Sequence, residues 1–140
     1  MTTTCLCGAV SVTIDAKPGF INDCNCSMCR KTGGAWGYFA PASVETAGDT
    51  VTYSRADKKS APAVDIHSCS TCGTTTHWTR TEAFIAQYQM NDMVGVNMRL
   101  FDPEQLAGVE VHYPDGKSWT GEGPFGYRRA AFTINEDTCW

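Results

Sequence analysis

The chain lacks any apolar run approaching the ~20 residues of a membrane-spanning helix, which excludes an integral helical membrane protein. Its start, Met1-Thr2-Thr3-Thr4-Cys5, lacks the basic residues and apolar stretch of a signal or transit peptide, so the expected location is the cytoplasm. Positive charge is scarce as well. Lys and Arg number 11 against 15 Asp and Glu, and the resulting charge of −4 removes the general attraction to phosphate backbones that basic proteins use. Nucleic acid is therefore not an expected partner. The basic clusters are the pairs Arg30-Lys31, Lys58-Lys59 and Arg128-Arg129, and Lys58-Lys59, in a polar stretch, reads as solvated loop. No linker, low-complexity segment or long repeat divides the sequence, so 1–140 reads as one domain. With 42% hydrophobic residues, that domain is apolar enough to fold by itself.

Helical periodicity is weak, and short β patterns dominate. Residues 9–15, Ala-Val-Ser-Val-Thr-Ile-Asp, alternate apolar and polar as a half-buried strand does. Similar runs at 35–40, 50–54, 63–68, 74–79, 84–89, 94–98 and 109–113 are punctuated by Gly, Pro, Asp or Asn. Many short strands predict a mainly β fold of packed sheets. Helical turns are expected only at 27–32 and at 103–106, the latter with Asp102 as N-cap and Pro103 at the first helical position.

What the sequence has in abundance is cysteine, 8 residues of it. A reduced compartment and a chain long enough to build its own core argue for metal ligation rather than disulfides. Seven of the thiols fall in three groups: Cys5-Leu6-Cys7-Gly8, Cys24-Asn25-Cys26-Ser27-Met28-Cys29 and Cys69-Ser70-Thr71-Cys72-Gly73. Seven exceed one tetrahedral zinc, and a split into four and three matches the difference between closed structural sites and open catalytic ones. Gly follows both Cys7 and Cys72, and a left-handed Gly lets a tight turn aim backbone N–H groups at thiolate sulfur. Cys5, Cys7, Cys69 and Cys72 are thereby assigned to a structural zinc. Cys24, Cys26 and Cys29 are left to hold a second zinc with a vacant position. The alternative is a second closed site, for which His67, His77 and Cys139 are the available fourth ligands. His112 lies in a strand pattern without ligand-like neighbours, and Cys139 reads as a free thiol in a terminal tail.

The three cysteine groups, together with Val96-Asn97-Met98-Arg99-Leu100-Phe101-Asp102, resemble the glutathione-dependent formaldehyde-activating enzymes and the related domain of centromere protein V. That resemblance implies a β-tent fold of packed antiparallel sheets, the same division into four-thiolate structural and three-thiolate catalytic zinc, and carbon–sulfur lyase chemistry. The implied co-substrate is glutathione, with a small electrophile or its conjugate as the reacting partner. Trp119 to Tyr127 resembles the family's closing segment, while residues 128–140 form a variable tail available for substrate choice or a homodimer contact.

Further candidates follow from position. Arg30 and Lys31 directly follow the open group and are placed to hold a carboxylate, with a solvated turn as the competing explanation. His77 is the first candidate for proton transfer, and Arg30 is a second catalytic candidate. Trp36, in the Gly33 to Phe39 stretch, is a candidate cleft-lining ring, core packing being the alternative. Two other classes remain in view. A non-catalytic zinc-stabilised interaction module fits the centromere relative, and a redox thiol protein is disfavoured by the lack of an isolated Cys-x-x-Cys in a βαβ pattern.

Overall fold

The computed structural model describes residues 1–55, 61–137 and 140, so the Lys58-Lys59 and Cys139 expectations lie outside the described residues. Eleven strands occur among them, and the fold is mainly β. No helix in the described residues is long and apolar enough to cross a membrane. Two compact units divide the chain: Met1–Ala16 with Tyr38–Val96, and Lys17–Gly37 with Asn97–Trp140.

In the first unit, β1 (Thr2–Thr4) pairs antiparallel with β2 (Ser11–Ile14), and β2 pairs with β5 (Val44–Ala47). The alternation read in the sequence is realised in β2, where Val12 and Ile14 are fully buried while Ser11 and Thr13 are half-buried. Burial of each such side chain contributes about 1.5–3 kcal/mol. A second run joins β6 (Thr50–Ser54), β7 (Val64–Cys69), β8 (Thr75–Arg80) and β9 (Val94–Asn97), each antiparallel to the next. Both outer cysteine groups turn out to be hairpin turns: the first links β1 to β2, the third links β7 to β8.

One expected strand is a helix. Residues 84–89 fall within and just beyond α2 (Glu82–Tyr88), which Thr81 caps by accepting the Phe84 N–H at 3.0 Å. Ala83 and Ala86 favour a helix, Glu82 suits its first turn, and the Phe84 and Tyr88 rings meet 4.6 Å apart at helical i, i+4 spacing. The adjacent apolar pair Phe84-Ile85 does not alternate, which is where the strand reading fails.

In the second unit, β3 (Phe20–Asn22) lies between β4 (Trp36–Phe39), antiparallel to it, and β10 (Glu110–His112), parallel to it; β10 also pairs with β11 (Phe132–Thr133). The parallel pair departs from an all-antiparallel arrangement. Ile21, Ala35, Trp36, Met98, Leu106, Val111 and Ile134 supply the core. The two predicted helical turns are present as α1 (Ser27–Thr32) and a 3₁₀ turn, Pro103–Leu106, where the Asp102 N–H donates to Gln105 Oε1 at 3.2 Å.

Candidate functional site

In the first unit the sulfur atoms of Cys5, Cys7, Cys69 and Cys72 all lie within 4.8 Å of one another. Cys5 and Cys7 are 3.6 Å apart, and Cys7 and Cys69 3.8 Å. Sulfurs placed about 2.3 Å from a tetrahedral zinc are about 3.8 Å apart, so these separations read as edges of a coordination tetrahedron rather than as weak S–H bonds. The residues present fit the ion. The knuckle turns explain how they do so. Cys5 N–H donates to Val10 O at 2.8 Å and Cys69 N–H to Thr74 O at 2.9 Å, while Gly8 and Gly73 reach back to Cys5 O and Cys69 O from left-handed φ values of 79° and 73°. Backbone N–H groups then meet sulfur, Val10 donating to Cys5 at 3.2 Å and Thr71 to Cys69 at 3.4 Å. The Thr74 hydroxyl, 3.1 Å from Cys72 Sγ, holds that thiol down to about 5, helped by the Thr74 N–H.

The second unit assembles Cys24, Cys26 and Cys29, again within 4.8 Å, with Cys26 and Cys29 sulfurs 3.4 Å apart. Cys26 is the N-cap residue of α1 and Cys29 sits three positions later, so one helical turn brings their side chains to the same side. Cys26 N–H donates to Cys24 Sγ at 3.4 Å, and the Trp36 indole N–H donates to Cys29 Sγ at 3.2 Å. Trp36, only 2% exposed, therefore supports a thiolate from the core. Interaction with Cys24, then with Cys29, holds the Cys26 thiol down to about 2, whereas Cys26 pushes the Cys24 thiol up, and Cys24, then Cys26, push the Cys29 thiol up. Three crowded thiols give up one proton readily and resist losing more, a penalty that a bound cation removes. No fourth His, Cys, Asp or Glu joins this group among the described residues.

Several neighbours of the three thiols escaped the sequence reading. Asn25 Nδ2 donates to Asp115 Oδ1 at 2.6 Å, and Lys117 N–H donates to Asn25 Oδ1 at 2.8 Å. The Asn25 amide, then Ser118, holds the Asp115 carboxyl below its usual range. Gly116 lies so close that a Cβ there would be 2.5 Å from Cys24 Sγ and 3.0 Å from Cys26 Cβ. Asp23, just before the cluster, is paired with Arg99 at 2.8 Å and Arg128 at 3.5 Å. The Asp115-Gly116 dipeptide is an ordinary turn signal, and nothing in its spacing points to residues 24–29.

Of the remaining candidates, Arg30 and Lys31 are exposed at the end of α1, with Arg30 Nε donating to Asn25 O at 3.0 Å. His77 belongs to the first unit, on β8. It is 5% exposed and stacks on His67 with ring centroids 4.3 Å apart and planes 3° from parallel; its Nδ1 is 2.9 Å from Thr76 Oγ1. Burial, then the neighbouring His67, pushes its pKa from 6.5 to about 4. The unfolded chain thus binds more protons between those values, so the contribution of neutral His77 is complete above pH 6.5 and is lost as pH falls toward 4. A His77→Gln variant is expected to lose about 2 kcal/mol less stability than the parent between pH 7 and pH 5, measured by urea unfolding at each pH. Acid release of thiolate-bound metal affects both proteins, so the difference isolates the histidine.

The family model described as glutathione-dependent formaldehyde-activating enzyme matches residues 1–120. The chain belongs to this family. Both thiol clusters and the Asp115–Lys117 turn fall within the matched span of the formaldehyde-activating enzyme model, and residues 121–140 lie beyond it. A crystal structure of a Rhodobacter sphaeroides protein is similar in fold, with a TM-score of 0.56 at 24% identity over 73% of this chain and 88% of that one. No match is found among curated proteins.

Proposed function

We propose that this member of the glutathione-dependent family is a zinc-dependent carbon–sulfur lyase or thiol-adduct enzyme, acting on a glutathione conjugate or a related small electrophile. The observation that carries the reading is the inequality of the two clusters: four thiols converge in one and three in the other. Cys5, Cys7, Cys69 and Cys72 would hold a structural zinc, and Cys24, Cys26 and Cys29 a catalytic one. When bound at the three thiols, zinc would supply Lewis acidity, favouring the thiolate form of an incoming thiol or polarising an oxygen on the electrophile.

The chain's own residues have separable tasks in this reading. Trp36 stabilises the Cys29 sulfur and keeps water from that side of it. Arg30 and Lys31 offer positive charge to a substrate carboxylate, Arg30 from a guanidinium already oriented by Asn25 O. Arg30 would also polarise the reacting carbonyl side of the substrate. A reducing cytoplasm suits the seven free thiols among the described residues.

Zinc content and calorimetric glutathione binding, measured together, test the reading. The parent chain is expected to carry two zinc ions and to bind glutathione; Cys26→Ser is expected to retain one ion and to lose both binding and turnover. Loss of one ion with turnover unchanged would contradict it. Equal resistance of both ions to a chelator, with no thiol binding, would favour a non-catalytic interaction module.

A further inference from the structure

Asn25 stands between two thiols of the three-membered cluster, and all four of its polar groups are engaged. Its side chain donates to Asp115 Oδ1 at 2.6 Å and accepts the Lys117 N–H at 2.8 Å. Its backbone N–H faces Pro114 O at 3.5 Å, and its carbonyl accepts from Arg30 Nε at 3.0 Å. Two of these four contacts reach one turn, closed on itself by Ser118 N–H donating to Asp115 O at 3.2 Å, and a third reaches Pro114 immediately before it. The same turn begins a loop whose ends are tied by Asp115 N–H to Gly126 O at 2.7 Å and by a bridge between Pro114 and Tyr127. Within the turn, Gly116 rests on Cys24 and Cys26 without room for a methyl group.

These contacts do different physical work from those of Trp36 and the backbone amides. Those groups donate to sulfur, whereas the Asn25 carboxamide points its hydrogen bonds at the turn. Because Cys24 and Cys26 flank it, the position of Asn25 is set by the cluster, and the turn inherits that position through two side-chain bonds. We propose that Asn25 is a positioning residue that fastens the Asp115–Lys117 turn against the three thiols, and that the turn thereby sets the direction from which an incoming thiol approaches. The proposal rests on the reading of the three-thiol cluster as a thiol-binding site.

The test uses the full-length, zinc-loaded chain, with glutathione as probe, zinc content by elemental analysis and affinity by calorimetry. Asn25→Ala removes both side-chain bonds and is expected to keep the parent zinc content while binding glutathione about tenfold more weakly. The paired exchange Asn25→Asp with Asp115→Asn places carboxylate and carboxamide opposite each other in reverse order, keeps an acceptor for the Lys117 N–H, and is expected to recover most of the loss. Hydrogen exchange at Lys117 should be faster in Asn25→Ala and return toward the parent rate in the paired variant. Glutathione affinity in Asn25→Ala equal to the parent's would overturn the proposal alone. So would loss of zinc in that variant, which would make Asn25 a support of the ligands, or a paired variant as weak as Asn25→Ala. A parent chain that takes up zinc but gives no heat with glutathione would overturn the proposal together with the function on which it rests.

Discussion

Replacing Cys69 by Ser is expected to release one zinc ion and to abolish cooperative thermal unfolding of the first unit. The reason lies in what the four thiols connect. Cys5 and Cys7 sit in the turn of one hairpin, and Cys69 and Cys72 in the turn of another, more than sixty positions along the chain. A bound ion cross-links these turns, and zinc binding at structural sites is worth about 10–16 kcal/mol at neutral pH. Whole domains are stable by only about 5–15 kcal/mol, so an ion held there would account for a share comparable to the entire margin. Cys69 is 1% exposed and packs with Cys5 and Val10, leaving a serine hydroxyl there with neither a metal bond nor water. Near-ultraviolet circular dichroism during a thermal scan, with zinc content measured on the same sample, checks the outcome. A melting temperature within about 2 °C of the parent, with one ion missing, would show that the hairpins hold together without it. Cys26→Ser is the built-in comparison: its cluster lies within six consecutive residues and cross-links little chain, so the loss of its metal should hardly move the melting curve.

That contrast was readable from spacing, because ligand groups announce themselves by residue type and local turn chemistry. The pairing of the first and third groups followed from Gly8 and Gly73, and both adopt the left-handed conformation that the knuckle turns require. The principal strands were legible for a similar reason: Val10, Val12 and Ile14 alternate, and they are buried. The strands that escaped notice, β1, β3, β5 and β11, are two to four residues long and carry too few apolar positions to display a period. The parallel contact of β3 with β10 joins residues some ninety positions apart, which no local pattern encodes. The surroundings of the three thiols were hidden in the same way. Asn25 looks like filler between ligands and Asp115-Gly116 like any turn; only the fold brings them within 2.6 Å.

Gly116 provides the sharpest test of those surroundings, since substitution by alanine adds one methyl group and nothing else. The added carbon would stand 2.5 Å from Cys24 Sγ, roughly 1 Å inside a normal contact, so either the thiol or the turn must move. In the metal-free protein the Cys24 side chain can rotate away. With metal bound it cannot do so without surrendering a ligand, and lifting the turn instead breaks the Asn25 bonds to Asp115 and Lys117. Two to three hydrogen bonds at about 1 kcal/mol each, or one thiolate of a site worth roughly 3 kcal/mol per ligand, make either route cost about 3 kcal/mol. The penalty falls on the loaded state alone, so Gly116→Ala is expected to weaken zinc binding at the three-thiol cluster about a hundredfold, measured by chelator competition, while the four-thiol cluster binds as before. Gly126→Ala, where an added Cβ meets nothing within 4 Å, should match the parent at both clusters. Combining Gly116→Ala with Asn25→Ala frees the turn to lift at little cost, so the double variant should regain part of the lost affinity. Unaltered zinc affinity in Gly116→Ala would mean that the turn does not press on the cluster, and the route by which Asn25 directs an incoming thiol would fail with it.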